Sequence, residues 1–163
     1  MDIIKGKVWK FDDDVDTDAI SPSGTTEVKK HVLEVINPHF PLEVKTGDII
    51  VAGSNFGCGS SRETAPSLLK SLGISAIIAE SFGRIFFRNA VAIGLPIITC
   101  PNVSNCFLDG NQLELDIDSA KVTNIDSGKT LDAQPLPYEM RDILYKGGIM
   151  PILKEIANIN TAS

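Results

Sequence analysis

The segment over residues 48–99 constrains the fold most, because apolar runs typical of strands alternate there with helical patterns. Strands are predicted over residues 48–52, 75–79 and 95–99, and helices over residues 61–72 and 82–93. Short strand–helix–strand links place successive strands parallel, with the helices packed on them. Strands that are apolar throughout are buried on both faces. The segment therefore predicts an α/β fold with a parallel sheet.

Weaker patterns flank this segment. A strand, an acidic loop and a short helix are predicted before it, and a hairpin, two helices and a frayed polar tail after it. The strand is predicted over residues 4–11, the acidic loop over 12–24 and the short helix over 28–36. After the segment, the hairpin strands are predicted over residues 112–117 and 121–124, the two helices over 138–146 and 149–157, and the polar tail over 158–163. The length of 163 residues favours a single domain over residues 1–163.

Charge and cysteine usage exclude several classes of protein. A formal net charge of -6 argues against a nucleic-acid or anionic-membrane binder, so a site for an anion must be built locally. No apolar run approaches the roughly 20 residues of a membrane helix. The three cysteines, Cys58, Cys100 and Cys106, form no CxxC pair, which predicts free thiols in a reducing cytoplasm and no structural zinc.

Residues 55–63, Asn-Phe-Gly-Cys-Gly-Ser-Ser-Arg-Glu, join a predicted strand to a predicted helix and are named the glycine loop. In open parallel sheets, ligands bind at such a position. The loop lacks the lysine of a Walker A motif, Arg62 replaces the third glycine of a dinucleotide fingerprint, and no glycine follows the serines as in a nucleophile elbow. None of these three glycine-loop motifs is therefore present.

Two interpretations of the glycine loop remain open from the residues alone. Ser60 and Glu63 match a capping box, which is a purely structural role. Arg62 does not fit that role, because a cation in the first helical turn opposes the helix dipole. An anion held by free N–H groups and a guanidinium would explain Arg62, with Gly57 and Gly59 allowing close approach to the backbone.

Two further groups of charged residues were considered as sites. Aspartates alternate over residues 12–18 as in an EF-hand, but no frame places glycine at position six and glutamate at position twelve. A solvated acidic loop is therefore predicted rather than a calcium site. On the second predicted helix, Arg84 is a first-turn cation and Arg88 a solvated or ion-paired residue.

Three stretches together resemble one known family. They are N-F-G-C-G-S-S-R-E-T-A-P at residues 55–66, I-I-A-E-S-F-G-R-I-F-F-R-N-A at residues 77–90 and G-L-P-I at residues 94–97, with D-V-D-T-D-A-I-S-P upstream at residues 14–22. The chain resembles the small subunits of aconitase-type hydro-lyases, especially those of 3-isopropylmalate dehydratase and homoaconitase. The resemblance covers about residues 5–100. It implies a swivelling β/β/α domain of the aconitase C-terminal type.

The resemblance also implies a chemistry and a partner. Ser60 would act as the base, Ser61 and Arg62 would contact a substrate carboxylate, and Asp18 and Ser21 would belong to the same site. The activity implied is dehydration and rehydration of a 2-hydroxy dicarboxylate in leucine biosynthesis, in the cytoplasm. A large subunit would carry the [4Fe-4S] cluster in a heterodimer or heterotetramer, and this chain would hold no metal or cofactor.

One segment departs from the family pattern. In many relatives, Gly-Arg-Tyr-Leu follows the Thr-Asp-x-Ile-x-Pro motif, whereas here Ser23-Gly24-Thr25-Thr26 follows Pro22. The absence of an arginine disfavours the extra carboxylate of homoaconitate and favours a small or apolar substituent. Isopropylmalate, dimethylmalate and citramalate-type substrates remain open, and so does a non-catalytic carboxylate-binding subunit.

Overall fold

A seven-stranded mixed sheet organises the computed structural model, which describes residues 2–60 and 62–161. Its strands are β1 (Ile4–Lys10), β2 (Ile49–Ala52), β3 (Ala76–Ala79), β4 (Ile97–Thr99), β5 (Gln112–Asp116), β6 (Lys121–Asn124) and β7 (Thr130–Asp132). They lie in the order β4-β3-β2-β1-β5-β6-β7. Strands β1 to β4 are parallel, and β5, β6 and β7 continue the sheet antiparallel. The predicted α/β fold with parallel strands is confirmed.

Helices flank this sheet. They are α1 (Thr17–Ile20), α2 (Phe40–Glu43), α3 (Thr64–Ser71), α4 (Arg84–Ala92), α5 (Tyr138–Tyr145) and α6 (Ile149–Thr161), with 3-10 turns at Val28–His31 and Val103–Asn105. The isoleucines of β2 and β3 are fully buried, as expected for strands with both faces covered. None of the described helices is long and apolar enough to cross a membrane.

Helix α3 begins at Thr64, three residues later than predicted, and Ser60 does not cap it. The reason is Pro66, which has no N–H and is tolerated only in the first turn of a helix. A helix starting at residue 61 would place Pro66 in its second turn. The capping-box interpretation of Ser60 and Glu63 is therefore wrong.

Helix α4 also begins late, at Arg84, because the residues before it pair with the glycine loop. The N–H of Gly83 donates to the carbonyl of Phe56 at 2.8 Å, so Gly83 remains extended. Ser81 belongs to a residue type that often caps helices, but its hydroxyl instead accepts a hydrogen bond from the backbone N–H of Asn55 at 2.7 Å.

Other boundaries differ from the prediction as well. Residues 28–36 contain only a 3-10 turn, and Leu33 takes a positive φ of 57° that interrupts a helix. The acidic loop contains α1, whose N-terminus is capped by the side chain of Asp16. The sequence did not predict strand β7, because it has only three residues. Helix α6 continues to Thr161, through the segment that was predicted to be a frayed tail.

The glycine loop lies between two other loops at the carboxyl ends of the parallel strands. On one side, the N–H of Gly57 donates to Val15 at 2.7 Å and the N–H of Thr17 donates to Cys58 at 2.9 Å. On the other side, the N–H of Phe56 donates to Ser81 at 3.0 Å. The backbone pairing of the parallel strands thus continues beyond their ends and holds the three loops together.

Gly57 is required at its position for two reasons. Its φ of +79° is a conformation that side chains disfavour, and a Cβ there would lie 2.3 Å from Cγ of Phe86 on α4. The missing side chain therefore lets α4 pack against the glycine loop. Gly57 thus serves helix packing, and because it also lines the cleft described below, the approach of a ligand to its backbone stays a prediction.

Replacing Gly57 by alanine should lower the free energy of unfolding by about 2–4 kcal/mol, because the positive φ and the clash with Phe86 both contribute. Gly110→Ala is the matched control. Gly110 has a φ of +89° but open space around its Cβ position, so its loss should be only about 1–2 kcal/mol. Urea denaturation of both variants measures the difference, and equal losses would contradict the packing role of Gly57.

Candidate active site

A cleft of about 260 Å³ opens where the three paired loops meet. Its walls come from Thr17 at the start of α1, from glycine-loop residues that include Ser60 and Arg62, and from the first turn of α4 with Arg84. The carboxyl ends of parallel strands are the usual ligand site in such sheets. The cleft therefore occupies the position that the sequence predicted for a site.

Helix α1 brings Asp18 to the glycine loop. The carboxylate of Asp16 caps this short helix by accepting the N–H of Ala19 at 2.8 Å. The hydroxyl of Thr17 donates to the carbonyl of Ser60, which fixes α1 against the loop. Asp18 consequently faces Ser60 and Arg62, more than 40 residues away in the sequence.

Asp18, Ser60 and Arg62 form a single hydrogen-bonded group. Oδ1 of Asp18 accepts the hydroxyl of Ser60 at 3.4 Å and the Nε–H of Arg62 at 2.6 Å. The Asp18 side chain is 63% exposed and that of Arg62 35% exposed. An ion pair this open to water contributes only about 0–1 kcal/mol to stability, so a ligand carboxylate can compete with Asp18 for the guanidinium.

Ser21 does not join this group in the described structure. Ser21 is 7% exposed, and its Oγ lies 3.1 Å from Oγ1 of Thr64. That contact ties α1 to α3, and Ser21 is not among the residues that line the cleft. Ser61 lies outside the described residues. Substrate contacts by these two serines stay predictions.

Two cationic side chains line the cleft, although the chain is acidic and Asp14, Asp16 and Asp18 lie nearby. Among the lining residues that the structure describes, Arg62 and Arg84 carry charge and no carboxylate does. The N-terminal turn of α4 adds to this field, because Gly83 provides no side-chain cap and Gly83, Arg84 and Ile85 all line the cleft. The cleft is therefore suited to an anionic ligand.

The sequence predicted that the N-terminus of the helix after the glycine loop, which is α3, would lie at the site. In the structure the N-terminus of α4 lines the cleft instead. Arg62 precedes the first residue of α3, whereas Arg84 is the first residue of α4. The signal for Arg84 was available, since Ser-Phe-Gly-Arg follows β3 much as Gly-Ser-Ser-Arg follows β2. Only the pairing of the two loops shows that both arginines line one cleft.

Cys58 also lines the cleft, but its environment disfavours a thiolate. Burial raises its pKa first, and the carboxylates of Asp14 and Asp16 raise it further. Cys58 is therefore protonated at neutral pH and is a poor nucleophile. Burial likewise raises the pKa of Cys100 to about 11.

No group of three His, Cys, Asp or Glu side chains in residues 2–60 and 62–161 is arranged to hold a metal ion. The groups at the cleft include the hydroxyl of Ser60, the carboxylate of Asp18 and the guanidinium groups of Arg62 and Arg84. These groups can bind carboxylates and transfer a proton.

Comparisons with known proteins identify relatives of this chain. The Aconitase C-terminal domain family matches residues 12–102. The chain is 48% identical to 3-isopropylmalate dehydratase small subunit 1 of Methanopyrus kandleri, with 94% of both chains covered. It is 50% identical to the isopropylmalate/citramalate isomerase small subunit of Methanocaldococcus jannaschii, covering 94% of this chain and 95% of the relative.

A solved structure extends the likeness to the fold. The crystal structure of 3-isopropylmalate dehydratase from Methanocaldococcus jannaschii superposes with a TM-score of 0.90 at 43% sequence identity, covering 98% of both chains. The family match spans more than half of the chain, and these relatives align over nearly all of it. The chain therefore belongs to the aconitase C-terminal domain family and is a relative of the small subunits of 3-isopropylmalate dehydratase.

Proposed function

We propose that this chain is the small subunit of a hydro-lyase of the 3-isopropylmalate dehydratase type, which acts in leucine biosynthesis. Its reaction is the elimination and re-addition of water on a 2-hydroxy dicarboxylate. The observation that carries the proposal is the joint hydrogen bonding of Ser60, Asp18 and Arg62 at the edge of the cleft. The names of relatives with 48% and 50% identity support the same reaction.

Ser60 is proposed as the base that removes the proton next to a carboxylate. Its side chain is exposed at the cleft and its Oγ–H points to Asp18 at 3.4 Å. As the substrate proton moves to Oγ, the hydroxyl proton can move along this hydrogen bond to Oδ1 of Asp18. No free alkoxide then has to form, which lowers the cost of using a serine as base.

Arg62 is proposed to bind the carboxylate beside that proton. Elimination develops negative charge on this carboxylate, and a guanidinium can bind both of its oxygens. Arg62 lies two residues from Ser60 and is oriented by its 2.6 Å contact with Asp18. Ser61, which the resemblance places in the same carboxylate site, is proposed to share this role, and Ser21 to hold α1 in place through Thr64.

The chain is proposed to be active only with a large subunit. The relatives' names contain the words small subunit, which supports such a partner. A [4Fe-4S] cluster on that large subunit would supply a Lewis acid for the departing hydroxyl. The assembly is proposed as a heterodimer or heterotetramer in the cytoplasm.

The substrate is proposed to carry a small or apolar substituent, as isopropylmalate and citramalate do. Residues 21–27, which follow α1 directly, contain no arginine for a third carboxylate such as that of homoaconitate. The relative from Methanocaldococcus jannaschii is named for both isopropylmalate and citramalate. Citramalate is therefore the second substrate to assay.

Ser60→Ala should lower kcat about 10²- to 10⁴-fold with little change in KM, because it removes the base and leaves the carboxylate contacts. The complex of this chain with its large subunit is assayed by the formation of unsaturated product from 3-isopropylmalate and citramalate. Ser54→Ala is the matched control, since Ser54 is exposed, directly precedes the glycine loop and lies outside the cleft. Unchanged turnover in Ser60→Ala would refute its role as base.

Asp18→Asn should lower kcat about 10- to 100-fold without raising KM. Asparagine keeps the size of the side chain but cannot take the proton of Ser60, while Arg62 stays free to bind substrate. Asp12→Asn, an exposed aspartate upstream, should keep wild-type kinetics.

The two kinetic constants separate the possible roles of Asp18. A rise in KM at unchanged kcat would contradict the proton-accepting role and leave Asp18 as a binding residue. A wild-type complex that binds dicarboxylates but converts none would instead favour a non-catalytic carboxylate-binding subunit.

A further inference from the structure

We propose that helix α6 (Ile149–Thr161) is a self-association surface, through which two copies of this chain pair with their α6 helices antiparallel. The inference goes beyond the proposed function, because it concerns a surface that takes no part in the reaction. It makes the assembly with a large subunit a heterotetramer, in which the two small subunits meet at α6.

Most of the apolar side chains of α6 are exposed to water. Ile149 is 39% exposed, Met150 62%, Leu153 51%, Ile156 50% and Ile159 63%. Among residues 149–160, Ile152 alone is half-buried and all the others are exposed. Single exposed apolar residues are ordinary on a protein surface, but a contiguous group of this kind marks a place where another molecule binds.

These apolar side chains recur every three or four residues, so they lie on one side of the helix. This side, formed by residues 149, 152, 153, 156 and 159, is named the α6 face. The two charged residues of α6, Lys154 and Glu155, lie on the other side. The α6 face is therefore apolar along the length of the helix.

Helix α6 also needs a packing partner for its stability. A helix of 13 residues is marginal in water by itself. Four of its residues are isoleucines, whose branched Cβ lowers their preference for a helix. Burial of the α6 face against another molecule supplies the stabilisation that the helix lacks.

Helix α6 begins at the opposite end of α4 from the cleft. A Cβ on Gly94 would lie 2.4 Å from the carbonyl carbon of Gly147, and a Cβ on Gly148 would lie 2.8 Å from the carbonyl oxygen of Ala92. The corner before α6 thus packs on the end of α4, whereas residues 83–86 at its start line the cleft. The nine residues of α4 separate these two places by about 13 Å.

This position identifies a second copy as the occupant of the α6 face. A large subunit has to cover the cleft to bring its cluster to the substrate, which places it at the start of α4; this step rests on the proposed function. An anionic lipid surface requires several basic residues beside the apolar face, whereas α6 has only Lys154, next to Glu155. A second copy offers an uncharged face of the same length.

The α6 face is complementary to itself about a two-fold axis. In an antiparallel pair, Ile149 lies opposite Ile159 of the second copy and Ile152 lies opposite Ile156, so apolar layers follow one another along the pair. A single helix offers on the order of half of the roughly 800 Å² that a stable interface buries on each partner. The pair is therefore expected to dissociate on dilution.

The test measures molar mass by light scattering over a range of protein concentrations, for the isolated chain and for its complex with the large subunit. The wild-type chain should approach twice the mass of one chain at high concentration, and the complex should contain two copies of each subunit. The double variant Leu153→Gln/Ile156→Gln should weaken self-association at least about 10-fold, because it removes apolar contacts at the centre of the pair. The matched control, Lys154→Gln/Glu155→Gln, keeps the net charge and should associate like the wild type.

A mixture of Ile149→Cys and Ile159→Cys chains checks the antiparallel arrangement. Under mild oxidation the new cysteines should link the two variants to each other, because the two positions face each other in the pair. Peptide mass spectrometry separates this link from any link to the three native cysteines. A link between two Ile149→Cys chains through that cysteine would overturn the antiparallel pair.

Other results would also overturn the proposal. One is a wild-type chain that keeps the mass of one chain at every concentration and forms only a one-to-one complex. If Leu153→Gln/Ile156→Gln loses the large subunit instead, the α6 face belongs to that subunit. If the wild type but not this variant sediments with phosphatidylglycerol vesicles, the face binds lipid.

The proposed function is checked separately from self-association. The complex of Leu153→Gln/Ile156→Gln with the large subunit should keep the wild-type kcat on 3-isopropylmalate, because α6 contributes no described residue to the cleft. A wild-type complex that is inactive on 3-isopropylmalate and on citramalate would refute the proposed function. The mass and cross-linking results on the isolated chain would still decide whether α6 pairs with a second copy.

Discussion

The candidate site depends on backbone hydrogen bonds that continue past the ends of the parallel strands. The loops after β1, β2 and β3 pair side by side, with the glycine loop in the middle. Each side chain of the site comes from one of these loops or from the helix that follows it. Asp18 and Ser60 are 42 residues apart in sequence, and without this pairing only side-chain contacts, such as that of Thr17 with the carbonyl of Ser60, would hold them together.

Glycines permit this pairing at two close contacts. Gly57 leaves room for Phe86, and Gly83 leaves room for the carbonyl of Gly57. Both contacts bring α4 against the glycine loop. Gly57 and Gly83 are thus explained by packing between loop and helix, and this packing brings the first turn of α4 to the cleft. Arg62, Arg84 and the first turn of α4 meet at this one place in an acidic protein.

Much of this could be predicted from the sequence. The alternation of apolar runs and helical patterns predicted the parallel core, because strands buried on both faces must be apolar throughout. Arg62 was recognised as a residue that a helix cap could not explain. Boundaries were less accurate: Ser60 and Ser81 both resemble helix caps, yet α3 begins late because of Pro66 and α4 begins late because Gly83 pairs with Phe56. Capping motifs are local, whereas these two serines are engaged by loops distant in sequence.

The sequence by itself determined the order of strands and helices over residues 48–99, the absence of the three known glycine-loop motifs, and the resemblance that pointed to Ser60, Arg62 and Asp18. These are properties of residues close together in the chain. Only the tertiary structure decided that Asp18 accepts hydrogen bonds from both Ser60 and Arg62, that Ser21 turns to Thr64, and that Arg84 faces the same cleft. The physical reason is that these relations arise from pairing between separate loops, which no local pattern of residues encodes.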